Sequence, residues 1–335
     1  MQNLFDKDFL ELGSEADTLR QRMWGKKVFY VNNLHINYTN ICVSKCRFCA
    51  FARDEGDDDG YFMEIDDILE YVRKSGKEAD ELHIVGGLHP TAPFTYYTDM
   101  LSELKRNFPA KVLKGFSAVE IDYFSRISRI GIVDVIKGLK KAGLDMMPGG
   151  GAEIFNPEVR NEICPEKIEA DHWLRIHEIA HKEGVKTNAT MLYGHLETDE
   201  HRMEHLEAIR DLQEKTGGFL AFIPLSFHPE NTFLDGMMPS TGMDDLKMVA
   251  VSRLVLDNVP HIKAYWVMLG EKTAQIALRF GADDLDGTIF RENITHAAGA
   301  TSSEGLTEEE LRGMITASGL EPVRRNAFYE AMPIK

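Results

Sequence analysis

Cys42, Cys46 and Cys49 follow one another in the spacing Cys-x-x-x-Cys-x-x-Cys, and the only other cysteine, Cys164, is far along the chain. A tetrahedral zinc site takes four ligands, usually as two pairs. Three closely spaced thiolates suit a cubane iron–sulfur cluster instead, and they leave one iron without a protein ligand. That open iron can bind a small molecule and pass it an electron. Phe48, immediately before the last cysteine, adds an apolar platform to the loop. A zinc knuckle or merely buried thiols are the alternatives, and no second Cys/His pair supports the former.

The elements that must position this loop alternate along the chain. Strand-like runs fall at His35–Val43, Leu82–Val85, Val112–Ala118, Leu144–Met147, Lys186–Leu192, Phe219–Leu225, Ile262–Val267 and Leu285–Ile289. Helical stripes lie between them. Ile65, Ile68, Leu69 and Val72 recur at helical spacing, as do Met203, Leu206, Ile209 and Leu212. Thr307-x-x-Glu310 reads as a capping box opening a last helix. Eight βα-like units predict an α/β fold, a (β/α)8 TIM-type barrel in a single domain. In that reading residues 1–34 are a short helical extension over one barrel end, 35–300 the barrel, and 301–335 a C-terminal helix and tail. A dinucleotide fold would need Gly-x-Gly-x-x-Gly, which is absent, and Gly149-Gly150-Gly151 lacks the Lys-Ser/Thr of a phosphate loop. Barrel active sites lie at the C-terminal ends of the strands. The cysteine loop follows the first strand and therefore belongs at that mouth.

Composition narrows the partners. Lys+Arg 38 against Asp+Glu 54 gives a net charge of −16, which disfavours nucleic acid and anionic membranes. Residues 1–25 are polar and charged, with no apolar run of signal-peptide length, and no stretch approaches a membrane span. Clustered cysteines point to a reducing compartment, so the expected location is cytoplasmic.

The cysteine spacing, with an aromatic before the last thiol, resembles the radical S-adenosylmethionine (SAM) family. The resemblance implies a [4Fe–4S] cluster on Cys42, Cys46 and Cys49, with SAM as co-substrate. Gly86-Gly87 is similar to that family's Gly-Gly-Glu segment, with Leu88 replacing the acid, and its backbone would receive the amino group of SAM. Glu153 and Arg160 match positions that hold the ribose or amino group and the carboxylate. Thr190-Met-Leu-Tyr-Gly194-His-Leu-Glu197 resembles a Gly-x-Ile-x-Gly-x-x-Glu segment, which places Leu192 on adenine with Ile223 as a second wall.

Longer strings are similar to the aminofutalosine synthase family: His83-Ile-Val-Gly-Gly-Leu-His-Pro90, Ser117-Ala-Val-Glu-Ile121, Gly149-Gly-Gly-Ala-Glu-Ile-Phe155, Ile163-Cys-Pro-Glu-Lys167 and Phe222-Ile-Pro-Leu-Ser-Phe-His-Pro229. This implies that a 5′-deoxyadenosyl radical adds to 3-[(1-carboxyvinyl)oxy]benzoate. Aryl migration and decarboxylation would then give 6-amino-6-deoxyfutalosine for menaquinone biosynthesis. The implied partners are a small-molecule substrate with two carboxylates and an electron donor such as flavodoxin or ferredoxin. His228, Arg291 and His296 are the substrate-pocket candidates. The dehypoxanthine futalosine cyclase and the deazaflavin-forming synthases share the scaffold, and a non-catalytic iron–sulfur protein is the reading from another class.

One rival motif competes. His177-Glu178-Ile179-Ala180-His181 matches His-Glu-x-x-His, which on a helix would present two imidazoles to zinc. It falls inside a helix between the fourth and fifth strands, and barrel helices form the outer ring away from the mouth. We read it as coincidental. Metal analysis of anaerobically purified protein is expected to return iron and acid-labile sulfide; stoichiometric zinc without iron would reverse the ranking.

Overall fold

The computed structural model describes residues 4–234, 236–289 and 293–333. Its first strand is interrupted at Asn32 into β1 (Lys27–Val31) and β2 (Asn33–Ile36). β3 (Glu81–Ile84), β4 (Val112–Gly115), β5 (Met146–Met147), β6 (Lys186–Tyr193), β7 (Phe219–Ser226) and β8 (His261–Ile262) continue from β2 in chain order as one parallel sheet. β9 (Asp284–Gly287) pairs with β1, and β10 (Glu321–Arg324) adds to the other edge of β1.

Two seams turn these sheets into a closed wall. The Asn32 carbonyl accepts from the N–H groups of Asp80 and Glu81, at 2.6 and 3.2 Å, so the split strand runs on from β1 to β2. Between β8 and β9, Lys263 bridges Asp284, the Asp283 N–H donates to the Ile262 carbonyl at 3.0 Å and the Ala264 N–H to the Asp284 carbonyl at 2.8 Å. The result is the predicted (β/α)8 TIM-type barrel, its helices outside. The expected stripes face inward: helix Ile65–Ser75 buries Ile68, Leu69 and Val72, and helix Asp199–Thr216 buries Leu206, Ile209 and Leu212. The capping box at Thr307 and Glu310 opens helix Glu308–Ala317. Among the described residues no helix is long and apolar enough to cross a membrane.

Several boundaries differ from expectation. The barrel begins at Lys27, so only the stretch containing helix Phe9–Trp24 extends outside it. That helix ends against the N-terminal side of β8: the Trp24 ring stacks on His261 at 4.5 Å, and its indole N–H donates to the Pro260 carbonyl at 2.9 Å. The first strand stops at Ile36 rather than Val43. Asn37, Thr39 and Asn40 draw the chain out of the ladder, donating to the carbonyls of Val85, Tyr61 and Asp59. The seventh strand is only His261–Ile262, because Trp266–Leu269 turns helical and the Trp266 indole donates to the Gly287 carbonyl at 2.9 Å. Within the C-terminal tail, β10 lies in register with β1.

The β8–β9 seam has little ladder, and one carboxylate reinforces it. Asp283 pairs with Arg253, meets His261 Nδ1 at 2.5 Å and accepts the Ile262 N–H at 2.9 Å, all of them buried. Removing one partner of such a cluster leaves uncompensated buried charge. Asp283→Ala is expected to cost about 3–5 kcal/mol of stability, read as a lowered midpoint in chemical denaturation.

Candidate functional site

A cavity of about 350 Å³ opens among the C-terminal ends of the strands, and Cys42, Cys46 and Cys49 all line it. The cysteine loop is held from three directions. Along the turn after β3, the Gly87 N–H donates to the Thr39 carbonyl at 2.9 Å, and the Val43 N–H to the Leu88 carbonyl at 3.0 Å. From another side the Arg47 N–H reaches the Ile163 carbonyl at 2.8 Å, while the Arg47 carbonyl accepts from the Phe233 N–H at 2.8 Å. Gly87 is required by this approach, because a Cβ there would lie 2.3 Å from the Ile41 carbonyl oxygen. A Cβ on Gly149 would likewise stand within 2.8 Å of the Ala189–Thr190 backbone.

The thiols receive backbone donors. The Leu88 N–H points at Cys42 Sγ from 3.3 Å, and the Phe51 and Ala52 N–H groups point at Cys49. Such donors stabilise iron-bound thiolates. Burial pushes the Cys46 thiol up to about 12, against the opposing pull of the Lys167 ammonium. Among the described residues no three His, Cys, Asp or Glu side chains converge on one ion position. A cubane does not ask for that convergence, since each thiolate binds a different iron. Cys164 is buried, does not line the cavity, and is pushed by burial up to about 11.

The remaining candidates divide. Phe48, Gly86, Gly87, Glu153, Leu192, Ile223 and His228 line the cavity. Glu153 is in the left-handed region, at φ 47°, and its carboxylate accepts from Lys167 Nζ at 2.5 Å. Burial would raise this carboxyl, but Lys167, Arg160 and His195 outweigh it and hold it below its ordinary value. Lys167 lies over the Phe48 ring, 4.8 Å from its centroid, so one cation ties the acid to the cysteine loop. His228 Nε2 faces the Met268 carbonyl at 2.9 Å.

Arg160 is not brought to the cavity. Its buried guanidinium donates to the carbonyls of Gly151, Ala152, Ile154 and Ile168, which leaves no fork for a carboxylate. The geometry corrects its expected ligand role: it shapes the segment that presents Glu153. His296 faces the Ser302 carbonyl at 3.1 Å and does not line the cavity. Arg291 lies outside the described residues. The His-Glu-x-x-His histidines both turn to one hydroxyl, His177 Nδ1 and His181 Nε2 approaching Thr187 Oγ1 at 2.9 and 2.8 Å.

Sequence reasoning passed over the strand-borne polar residues on the cavity wall: His35, His83, Lys114, Asn188, Lys263 and Asp286. A period-2 signal was present. In Leu82-His83-Ile84 the apolar residues face the helices and the polar one faces inward.

The radical SAM superfamily profile matches residues 36–209, and the CofH/MqnC C-terminal region matches 216–335. The aminodeoxyfutalosine synthase of Thermus thermophilus is 44% identical over 333 residues, covering 98% of this chain and 90% of that protein. The 5-amino-6-(D-ribitylamino)uracil–L-tyrosine 4-hydroxyphenyl transferase of Methanopyrus kandleri is 44% identical over 326 residues, covering 96% and 88%. Among solved structures, methylornithine synthase superposes with a TM-score of 0.75 at 16% identity, covering 96% of this chain and 92% of its own, which speaks for the fold alone.

Gly87→Ala tests the loop packing. The added methyl must displace the Ile41 backbone, so iron and sulfide per chain after anaerobic reconstitution are expected to fall while far-ultraviolet circular dichroism is retained. Unchanged iron content would show that the contact does not set the loop.

Proposed function

The chain belongs to the radical SAM superfamily, and on that premise we propose that it is an aminodeoxyfutalosine-forming synthase. It is an enzyme of that family, with a [4Fe–4S] cluster and SAM as cofactors. The observation that supports the finer reading is the near-full-length likeness to the bacterial synthase, which takes in cysteine loop, cavity wall and C-terminal segment together. When bound, the cluster and SAM would supply a 5′-deoxyadenosyl radical; in this reading the cavity would hold 3-[(1-carboxyvinyl)oxy]benzoate for bond formation at its vinyl carbon, aryl migration and loss of the carboxyl group as carbon dioxide, the single electron that made the radical being given back in that last step.

The chain's own residues have assignable tasks. Cys42, Cys46 and Cys49 would hold the three protein-bound irons, under the backbone donors from Leu88, Phe51 and Ala52. The backbone of Gly86 and Gly87, which lines the cavity, would receive the amino end of SAM. Glu153 would accept from its amino or ribose groups, and Leu192 and Ile223 would enclose adenine. The apolar wall keeps water from a reactive carbon centre. The electron would come from a small carrier such as flavodoxin or ferredoxin.

A second reading is carried by the archaeal relative at equal identity, whose name describes transfer of a 4-hydroxyphenyl group from tyrosine. The two separate in one experiment. The reconstituted enzyme is incubated anaerobically with reductant and SAM, either with the enolpyruvyl benzoate or with tyrosine and 5-amino-6-(D-ribitylamino)uracil, and products are read by mass spectrometry. An adduct that retains the adenosyl carbons of SAM and has lost carbon dioxide is the expected result. Product only from the tyrosine mixture, or free 5′-deoxyadenosine with no adduct, would overturn the synthase reading.

A further inference from the structure

Barrel interiors are usually filled by branched apolar side chains. Here the layer beneath the cavity is polar. His35, His83 and Lys114 stand in one register row on β2, β3 and β4, and Lys263 and Asp286 meet across the β8–β9 seam. All five line the cavity. The His35 and His83 rings stack with centroids 4.7 Å apart. Lys263 Nζ donates to Asp286 at 2.7 Å, and Lys114 pairs with Glu81. Both lysines are 2% exposed.

Charges placed this deep are not explained by stability. A buried ion pair is often no better than apolar residues of the same volume. Their arrangement is also asymmetric. Lys114, Lys263 and Asp286 line the cavity, while Glu81 does not, so this layer presents two ammoniums and one carboxylate to a ligand. Each ammonium has three N–H donors, and a single carboxylate cannot take them all. Burial depresses Lys114, and the nearby Glu81 works against that.

We propose that Lys114 and Lys263 together form the subsite that grips a carboxylate of the substrate and aims its reacting carbon toward the cysteine end of the cavity. The proposal rests on reading the substrate as an aromatic dicarboxylate. Two ammoniums on opposite walls of the barrel, close enough to feel each other's charge, fix both position and orientation of a carboxylate through charge-assisted hydrogen bonds. The stacked imidazole pair beside them adds polar, flat surface; burial, then Lys114, holds His83 below its ordinary value.

The test uses cluster-loaded enzyme with SAM, kept anaerobic. 3-[(1-Carboxyvinyl)oxy]benzoate is titrated calorimetrically into the wild type and two paired variants, Lys114→Met with Glu81→Gln and Lys263→Met with Asp286→Asn. Each pair is changed together because removing a lysine alone strands a buried carboxylate. Both variants are expected to weaken the ligand roughly tenfold or more, as losing a charge-assisted hydrogen bond would. Iron content and SAM affinity are expected to hold. Wild-type affinity for the acid in both variants would overturn the subsite. Should either variant fail to fold, wild-type crystals soaked with the same acid decide: a carboxylate on both ammoniums supports the proposal, and one bound elsewhere overturns it. Failure of the parent reading looks different. Acid bound at the lysines without an adenosyl adduct keeps the subsite and removes the synthase, whereas an adduct with unimpaired variants does the reverse.

Discussion

Backbone contact between the cysteine loop and the turn after β3 is the constraint on which the site depends. Thr39, Ile41 and Val43 lie against Gly87 and Leu88 so closely that one methyl group would part them. The loop therefore inherits its position from the pairing of β2 with β3 rather than from its own conformation. Across the cavity, Arg160 clamps the carbonyls of Gly151, Ala152 and Ile154, and the Leu192 N–H donates to the Glu153 carbonyl at 2.8 Å. Lys167 then joins Glu153 to the Phe48 face of the loop. The wall is one connected body, so shifting any strand end would move thiols and acid relative to each other.

Two buried charge clusters show why geometry must be consulted before a buried ion is given a meaning. Asp283 with Arg253 and His261, and Lys114 and Lys263 with their carboxylates, are alike in composition and burial. The first lies away from the cavity and braces a thin seam. In the second, Lys114, Lys263 and Asp286 line the cavity, and the ammoniums have N–H donors to offer a ligand. Both hold charge in a low-dielectric interior at a desolvation cost. Only the second can recover part of that cost from a bound anion.

The barrel was legible because short apolar runs alternate with helical stripes over most of the chain, and that alternation survives errors at every boundary. The boundaries themselves were not. β5 and β8 hold only two residues each, and no periodicity can mark so brief an element. The cysteine loop was legible as a candidate site because its spacing is chemical, not conformational, and the three thiols do line one cavity. Arg160 shows the opposite case. An arginine near a cofactor loop reads the same whether its fork meets a carboxylate or four backbone carbonyls, and only packing separates the two. Lys114 and His83 were obscured for another reason: each is an isolated polar residue between apolar neighbours in a four-residue strand, and what it faces is decided only when the sheet closes.

The division of labour within the chain bears on how related enzymes can differ. Residues 36–209, matched by the superfamily profile, hold the cysteines, Gly86, Gly87, Glu153 and Leu192. The segment matched by the second profile begins at 216 and brings Ile223, Lys263 and Asp286. The lysine pair thus straddles both segments, one ammonium from each. A radical generated at the cysteine end is indiscriminate by nature, so the choice of reacting carbon must come from whatever holds the substrate's far end still. In our reading that task falls to the floor of the barrel, where changes in charge can redirect the reaction without disturbing the loop that starts it.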